Sequence, residues 1–249
     1  MAPLVHAARA ATGITTLTLD SPANRNALSA RLVAELREAL AGAAADPGTR
    51  AVLLTHAGNT FCAGADLKSP CDPADFLALL REITALPKPV VARVTGHVRA
   101  GGLGLLGACD IAAAGPQSSY AFTETHLGLA PAVISMTVLP RLDPRAASRY
   151  LLTAETFDAA EAARIGLLTT HADADADVDT VLAPVLEGLR KASPQALAET
   201  KAMVAAGVRE ALDRDGARLT ELSARLFASD EAREGITARF ERRDPSWVR

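Results

Sequence analysis

Two glycine-rich segments and one glutamate are the residues of this chain best suited to do chemistry. Residues 61–68 read FCAGADLK, residues 94–104 read VTGHVRAGGLG, and each segment follows a predicted strand. Where a strand ends and a helix begins, unpaired amide groups point outward and the helix dipole adds positive potential. Both segments are therefore candidate oxyanion holes. Taken singly, either glycine run could instead serve a tight turn or a close helix–sheet contact.

Glu124 is the candidate acid or base. It follows a predicted strand end at residues 120–122 and precedes Leu127-Gly128-Leu129. On spacing alone, a single glutamate is most often a solvated surface charge or a helix cap. Its role therefore depends on how it sits relative to the two glycine-rich segments.

The elements that must position these residues follow an alternating pattern. Ile14–Leu19 alternates apolar residues with threonine, and Ser29 is a plausible N-cap for a helix with leucine at every fourth position. Short apolar runs at residues 51–55, 89–94 and 109–114 read as strands, with helical spacing between them and a helix over Gly101–Ala108. Strands that alternate with helices predict an α/β fold with a largely parallel sheet.

The second part of the chain is predicted to be helical. Helices are expected over Pro144–Thr153 and residues 158–167, with a connector at residues 171–179 and two or three amphipathic helices over residues 180–240. An all-helical tail of this kind often buries its apolar face against a neighbour.

Composition narrows the class of protein. The chain has 249 residues, of which 49% are hydrophobic, enough for one large domain or a domain with an appendage. No apolar run approaches the roughly 20 residues of a membrane span, and residues 1–13 lack the apolar core of a signal peptide. Three cysteines, an odd number, favour a reducing compartment, so a cytoplasmic location is expected. A net charge of -3 with few aromatic residues disfavours nucleic-acid binding, and the absence of CxxC and HExxH spacing disfavours a metal site.

Four segments occur in an order that resembles one known family. They are residues 21–28 (SPANRNAL), 64–68 (GADLK), 96–110 (GHVRAGG followed by ACD) and 124–131 (ETHLGLAP). Together they resemble the crotonase family, also called the enoyl-CoA hydratase/isomerase superfamily, from about Ile14 to the C-terminus. The resemblance implies a crotonase-like spiral of ββα units over residues 1–190 and a C-terminal helical oligomerisation region over residues 191–249. It also implies a homotrimer or a dimer of trimers.

The same resemblance implies a lyase that acts on an acyl-CoA thioester. It needs no separate cofactor, since CoA arrives as part of the substrate. The backbone amides of Ala65 and Gly101 would receive the thioester oxygen, and Glu124 would act as acid and base. The residues implied to line the substrate and CoA site, with Asp66 towards the adenine, are Arg25, Ala27, Ala63, Asp66, Leu67 and Gly102.

The chain departs from the family pattern at Gly104. Many family hydratases place a first glutamate there, so Glu124 is left as a single carboxylate. One carboxylate could activate water for addition to a 2-enoyl thioester, or move a proton between C2 and C4 of a 3-enoyl thioester. A catalytically silent acyl-CoA-binding protein is a further alternative. Residues 97–102 and 129–135 resemble a subgroup associated with branched or glutaconyl-type CoA hydration, which favours the hydratase.

Other polar residues inside or beside the motifs have less defined roles. Asp72 or Asp75, in a loop expected over residues 69–75, could supply a second polar group to the site. Arg99 could pair with a distal substrate carboxylate or with a surface or interface acid. His97 and His126 are expected to satisfy backbone groups beside turns.

Overall fold

The computed structural model describes residues 2–249, which form two β-sheets and the helices packed against them. The strands are β1 (Val5–Arg9), β2 (Ile14–Leu19), β3 (Ala51–His56), β4 (Thr60–Cys62), β5 (Val90–Val94), β6 (His97–Arg99), β7 (Ile111–Ala114), β8 (Ser119–Ala121), β9 (Phe157–Asp158) and β10 (Thr170–His171). The helices are α1 (Ala30–Ala45), α2 (Pro73–Ala85), α3 (Gly101–Ala108), α4 (Ala132–Val138), α5 (Pro144–Thr153), α6 (Ala159–Arg164), α7 (Val178–Lys191), α8 (Pro194–Val204), α9 (Ala206–Phe227) and α10 (Asp230–Glu241).

The chain winds as a spiral in which each turn adds one strand to each sheet. The larger sheet has the order β1-β2-β3-β5-β7-β10, and the smaller sheet has the order β4-β6-β8-β9. Successive turns are β3-β4-α2, β5-β6-α3 and β7-β8 followed by α4. This is the crotonase-like spiral of ββα units that the family resemblance implied.

Parallel pairing in the smaller sheet positions the candidate site. Strands β4, β6 and β8 lie side by side and run in the same direction. Their carboxyl ends therefore meet at one edge of the sheet. Ala65 follows β4, Gly101 follows β6 and Glu124 follows β8, so the three predicted catalytic residues come to the same edge.

Several local predictions are confirmed. Strand β2 and helices α3 and α5 have the predicted bounds. The Ser29 side chain caps α1 by accepting a hydrogen bond from the amide of Leu32 at 3.2 Å. Gly166 adopts a φ of +89°, in the left-handed region that favours glycine, after α6 ends.

Other local predictions were wrong. Strand β1 lies within residues 1–13, where no element was expected, and pairs antiparallel with β2. The helix predicted over residues 158–167 is shorter, and the connector predicted at residues 171–179 includes the end of β10 and the start of α7. The region predicted to hold two or three helices contains four, α7 to α10.

The C-terminal helices pack onto the spiral. The Arg81 guanidinium of α2 donates to the carbonyl of Leu212 on α9 at 2.9 Å. The buried Lys201 ammonium of α8 lies 2.9 Å from the Asp110 carboxylate and donates to the carbonyl of Ile83 at 2.8 Å. The division into a core over residues 1–190 and an oligomerisation region over residues 191–249 stays a prediction.

Candidate active site

The first candidate oxyanion donor is the amide of Ala65, in the turn after β4. The Gly64 carbonyl accepts a hydrogen bond from the Leu28 amide at 2.8 Å, and the Asp66 amide donates to the Leu28 carbonyl at 3.4 Å. In a trans peptide the N–H points opposite to the C=O. The Ala65 amide therefore points away from Leu28, and Ala65 lines the cavity beside it.

The second candidate donor is the amide of Gly101, the first residue of α3. The carbonyl of Ala100 accepts from the Leu103 amide at 2.8 Å, which aligns the Ala100–Gly101 peptide with the helix and points the Gly101 amide out of its N-terminus. The Ala100 amide donates to the Ala121 carbonyl at 3.1 Å, and its φ is +46°. Within residues 2–249, neither the Gly101 nor the Ala65 amide donates a hydrogen bond.

The two turns lie against each other, and glycine makes that contact possible. A Cβ built on Gly64 would lie 2.9 Å from the Cβ of Ala100 and 3.6 Å from the amide nitrogen of Gly101. Gly64 also has a φ of +90°, where a side chain would be strained. The two open amides are therefore neighbours at the wall of one cavity.

Glu124 lies in a 3-10 turn, Thr123–Leu127, that follows β8. Its side chain is buried, and within residues 2–249 its Oε2 has no hydrogen-bond partner. Burial disfavours the charged form and raises the pKa of Glu124 to about 7, although a hydrogen bond from its own backbone amide opposes the rise. A carboxyl group with this pKa exchanges a proton readily at neutral pH, as a general acid or base must.

The cavity that joins these groups has a volume of about 1360 Å³. Glu124, Ala65 and Gly101 all line it. So do five of the six residues predicted to contact substrate and CoA, namely Arg25, Ala27, Ala63, Asp66 and Leu67. This volume exceeds that of a typical cavity for a drug-sized ligand, so it suits a larger molecule.

Asp66 is engaged within its own loop. Its carboxylate accepts hydrogen bonds from the Asn24 side chain at 2.9 Å and from the amides of Lys68 and Ser69 at 3.0 and 3.2 Å. Partial burial opposes ionisation, but these hydrogen bonds outweigh it and lower the pKa of Asp66. The carboxylate therefore holds the loop that carries Ala65, whereas its predicted contact with the adenine stays a prediction.

Gly102, the sixth predicted contact residue, lies outside the cavity lining. A Cβ built on it would lie 2.8 Å from the Cβ of Cys62 and 3.1 Å from Cγ1 of Val98. Gly102 thus packs α3 against the small sheet, and its assignment to the substrate site stays a prediction.

The structure provides no support for a second acid from the loop over residues 69–75. The Asp72 carboxylate caps α2 by accepting from the Ala74 amide at 2.7 Å. Asp75 is exposed and lies 3.4 Å from the Arg37 guanidinium. Neither aspartate lines the cavity.

The basic residues of the second glycine-rich segment bind the small sheet. The His97 Nδ1 lies 2.9 Å from the Ser119 hydroxyl oxygen, and the Arg99 guanidinium donates to the Ser119 carbonyl at 2.6 Å. Arg99 also lines the cavity, and burial together with the charge of Arg239 lowers its pKa. His126 is exposed at the cavity wall.

Sequence reasoning missed the cavity residues that come from distant elements. Phe76 of α2, Ile134 of α4 and Ile236 of α10 line the same cavity as Glu124. The one sequence signal that could have indicated the contact of α10 is Gly235, a glycine inside a helix. In the structure, a Cβ built on Gly235 would lie 2.6 Å from the carbonyl carbon of Leu127. This close approach seats α10 on the turn that carries Glu124.

Residues 2–249 show neither a metal-ligand cluster nor a membrane-spanning helix. They contain no group of three or more His, Cys, Asp or Glu side chains placed to hold a metal ion. Across the same residues, every helix is too short or too polar to cross a membrane.

Comparison with known proteins agrees with this geometry. The family model described as enoyl-CoA hydratase/isomerase matches residues 9–249. A crystal structure of an enoyl-CoA hydratase from Mycobacterium avium is 50% identical, covers 100% of both chains and superposes with a TM-score of 0.92. An (E)-benzylidenesuccinyl-CoA hydratase from Thauera aromatica is 31% identical over 93% of this chain and 94% of its own length. A 2,3-dehydroadipyl-CoA hydratase from Escherichia coli is 29% identical over 93% of each chain. The chain therefore belongs to the enoyl-CoA hydratase/isomerase family of enzymes.

Proposed function

We propose that this enzyme adds water across the double bond of a 2-enoyl-CoA thioester through an enolate held by the amides of Ala65 and Gly101. The observation that carries the proposal is the convergence of these two open amides and the buried Glu124 carboxyl on one cavity. Backbone donors aimed at a developing oxyanion stabilise the transition state by roughly 3 kcal/mol each. CoA enters as part of the substrate, and the protein supplies no separate cofactor.

A single carboxyl group accounts for every proton in this reaction. Ionised Glu124 takes a proton from water as the water oxygen bonds to C3, and the electron pair of the double bond moves onto the thioester oxygen. The enolate then takes a proton at C2, which the protonated Glu124 returns. The net change is the addition of one water molecule, and the enzyme is regenerated. A carboxyl with a pKa near 7 is matched to both halves of this cycle.

Double-bond isomerisation is the second candidate, favoured by the lack of an acid at Gly104. Glu124 would remove a proton from C2 of a 3-enoyl thioester and return it at C4, with the same two amides on the enolate oxygen. This reaction needs no positioned water, so one carboxyl is sufficient.

The acyl group we propose is branched or of the glutaconyl type. Two relatives are named for acyl groups that carry a second carboxylate, benzylidenesuccinyl and dehydroadipyl. Arg99 lines the cavity and forms no ion pair within residues 2–249. A guanidinium of this kind favours a substrate that brings its own negative charge.

We also propose a cytoplasmic homotrimer or dimer of trimers. Large apolar side chains of the C-terminal helices are exposed, including Met203, Val204 and Phe240. Exposed apolar groups of this size favour burial against another subunit.

Ultraviolet absorbance tests the candidates directly. Loss of the conjugated enoyl absorbance of crotonyl-CoA indicates hydration, and gain of that absorbance from a 3-enoyl-CoA indicates isomerisation. Binding of both thioesters with no conversion would identify a non-catalytic acyl-CoA-binding protein and refute the proposal. The Glu124→Gln variant is the matched control, because it keeps the shape of the side chain and removes the base.

A further inference from the structure

Helix α4 lies directly on the face of α3 that contains Gly104 and Gly107. A Cβ built on Gly104 would lie 2.5 Å from Cγ2 of Ile134, and one built on Gly107 would lie 2.9 Å from the carbonyl oxygen of Thr137. The Thr137 hydroxyl donates to the Gly104 carbonyl at 3.0 Å, which ties the helices together. Any side chain at position 104 would therefore have to displace the side chain of Ile134.

Ile134 fills the space that glycine leaves open. Its side chain is only 3% exposed, yet it lines the same cavity as Glu124. Phe76 completes this surface, because its Cζ would lie 3.3 Å from a Cβ on Gly104 and 3.7 Å from one on Gly101. The wall of the cavity beside the Gly101 amide is thus apolar.

The spacing along α3 sets which part of a substrate meets this wall. Gly104 follows Gly101 by three residues, a rise of about 4.5 Å along the helix. An acyl group whose thioester oxygen lies on the Gly101 amide would place C3 and the first atom of its substituent within about that distance. The Ile134 side chain would then contact the group attached to C3.

We propose that Ile134 is a specificity-determining residue that limits the size of the group attached to C3 of the acyl chain. The inference rests on the proposed function, because it assumes that a thioester oxygen lies on the Gly101 amide. Compact substituents fit against the wall, and a bulky group such as phenyl meets the Ile134 side chain. Phe76 supports the wall from the side of α2.

The test compares Ile134→Val and Ile134→Ala with wild type on crotonyl-CoA, whose C3 bears a methyl group, and on cinnamoyl-CoA, whose C3 bears a phenyl group. One extra or missing methylene group in an apolar pocket alters discrimination by roughly 10-fold to 200-fold. The ratio of kcat/KM for cinnamoyl-CoA to that for crotonyl-CoA should rise at least about 10-fold in Ile134→Ala and less in Ile134→Val. Met136→Ala is the matched control, since Met136 is buried on the same helix and does not line the cavity.

A binding measurement separates this inference from the proposed function. Titration calorimetry with butyryl-CoA and 3-phenylpropanoyl-CoA reports the same size discrimination without turnover. If the ratio of the two Kd values shifts in Ile134→Ala and does not shift in Met136→Ala, the role of Ile134 in limiting the size of the C3 group is supported, even if crotonyl-CoA is never hydrated. Normal hydration of crotonyl-CoA with both ratios unchanged in Ile134→Ala overturns the inference and leaves the hydratase intact. An equal shift in Met136→Ala also overturns it, because the effect would then come from general loosening of α4.

Discussion

Replacing Glu124 with glutamine should change how the stability of the protein depends on pH. Burial raises the pKa of Glu124 from 4.5 to about 7 in the folded protein. Each pH unit between the folded and unfolded pKa values corresponds to about 1.4 kcal/mol, so keeping this carboxylate buried and ionised costs about 3 kcal/mol. Glutamine has nearly the same shape and no charge to bury.

The sign follows from the protons bound by each state. Between pH 4.5 and about 7 the unfolded chain has lost the Glu124 proton, whereas the folded protein retains it. The folded state binds more protons, so the free energy of unfolding contributed by this group falls as pH rises through that window. Above it the penalty is constant. The Glu124→Gln variant should therefore gain stability relative to wild type, by up to about 3 kcal/mol between pH 4.5 and pH 8.

Urea unfolding of both proteins at pH 4.5, 6 and 8 measures this difference. The exposed Glu199, changed to glutamine, provides the control for loss of a surface charge. If the free energies of unfolding of the two proteins differ by the same amount at all three pH values, the raised pKa of a buried Glu124 carboxyl is refuted. The same group should govern catalysis, so kcat/KM for crotonyl-CoA should rise with pH to a plateau above about 7 and fall at least about 100-fold in Glu124→Gln.

Three substitutions elsewhere test how the site is held. Gly64→Ala should lower kcat by at least about 10-fold with a small change in KM. At a φ of +90° and beside the Ala100 Cβ, the new side chain would force the peptide that carries the Ala65 amide to rotate. Steady-state kinetics with an unchanged kcat would contradict this. Gly104→Glu should destabilise the fold by about 1 to 3 kcal/mol and fail to raise hydratase activity, because Ile134 occupies the space. Thermal unfolding measures the stability and the crotonyl-CoA assay measures the activity. A variant that is as stable as wild type and faster would contradict the prediction. Lys201→Met should cost up to about 3 to 5 kcal/mol in urea unfolding, because the largely buried Asp110 carboxylate loses its counter-ion. Part of the loss should be recovered in the double variant with Asp110→Asn, and no loss in Lys201→Met would contradict the prediction.

Local patterns in the sequence were sufficient for the elements whose ends are set by neighbouring residues. The Ser29 side chain caps the start of α1, and the positive φ of Gly166 prevents the helix from continuing after α6. Strand β1 escaped prediction because four of its five residues are exposed and it is held by pairing with β2. The fourth C-terminal helix escaped because α8 and α9 are separated only by Ala205, which left no clear break in the pattern.

The sequence by itself determined the family, the two turns that carry Ala65 and Gly101, and the presence of one acid at Glu124 where a pair is common. Only the tertiary structure decided that this acid is buried with Oε2 left without a hydrogen-bond partner and that Ile134 lines the wall above Gly104. The reason is physical. Motifs record the backbone conformation that neighbouring residues require, whereas burial and the filling of space depend on helices α4 and α10, which meet the site only when the spiral closes.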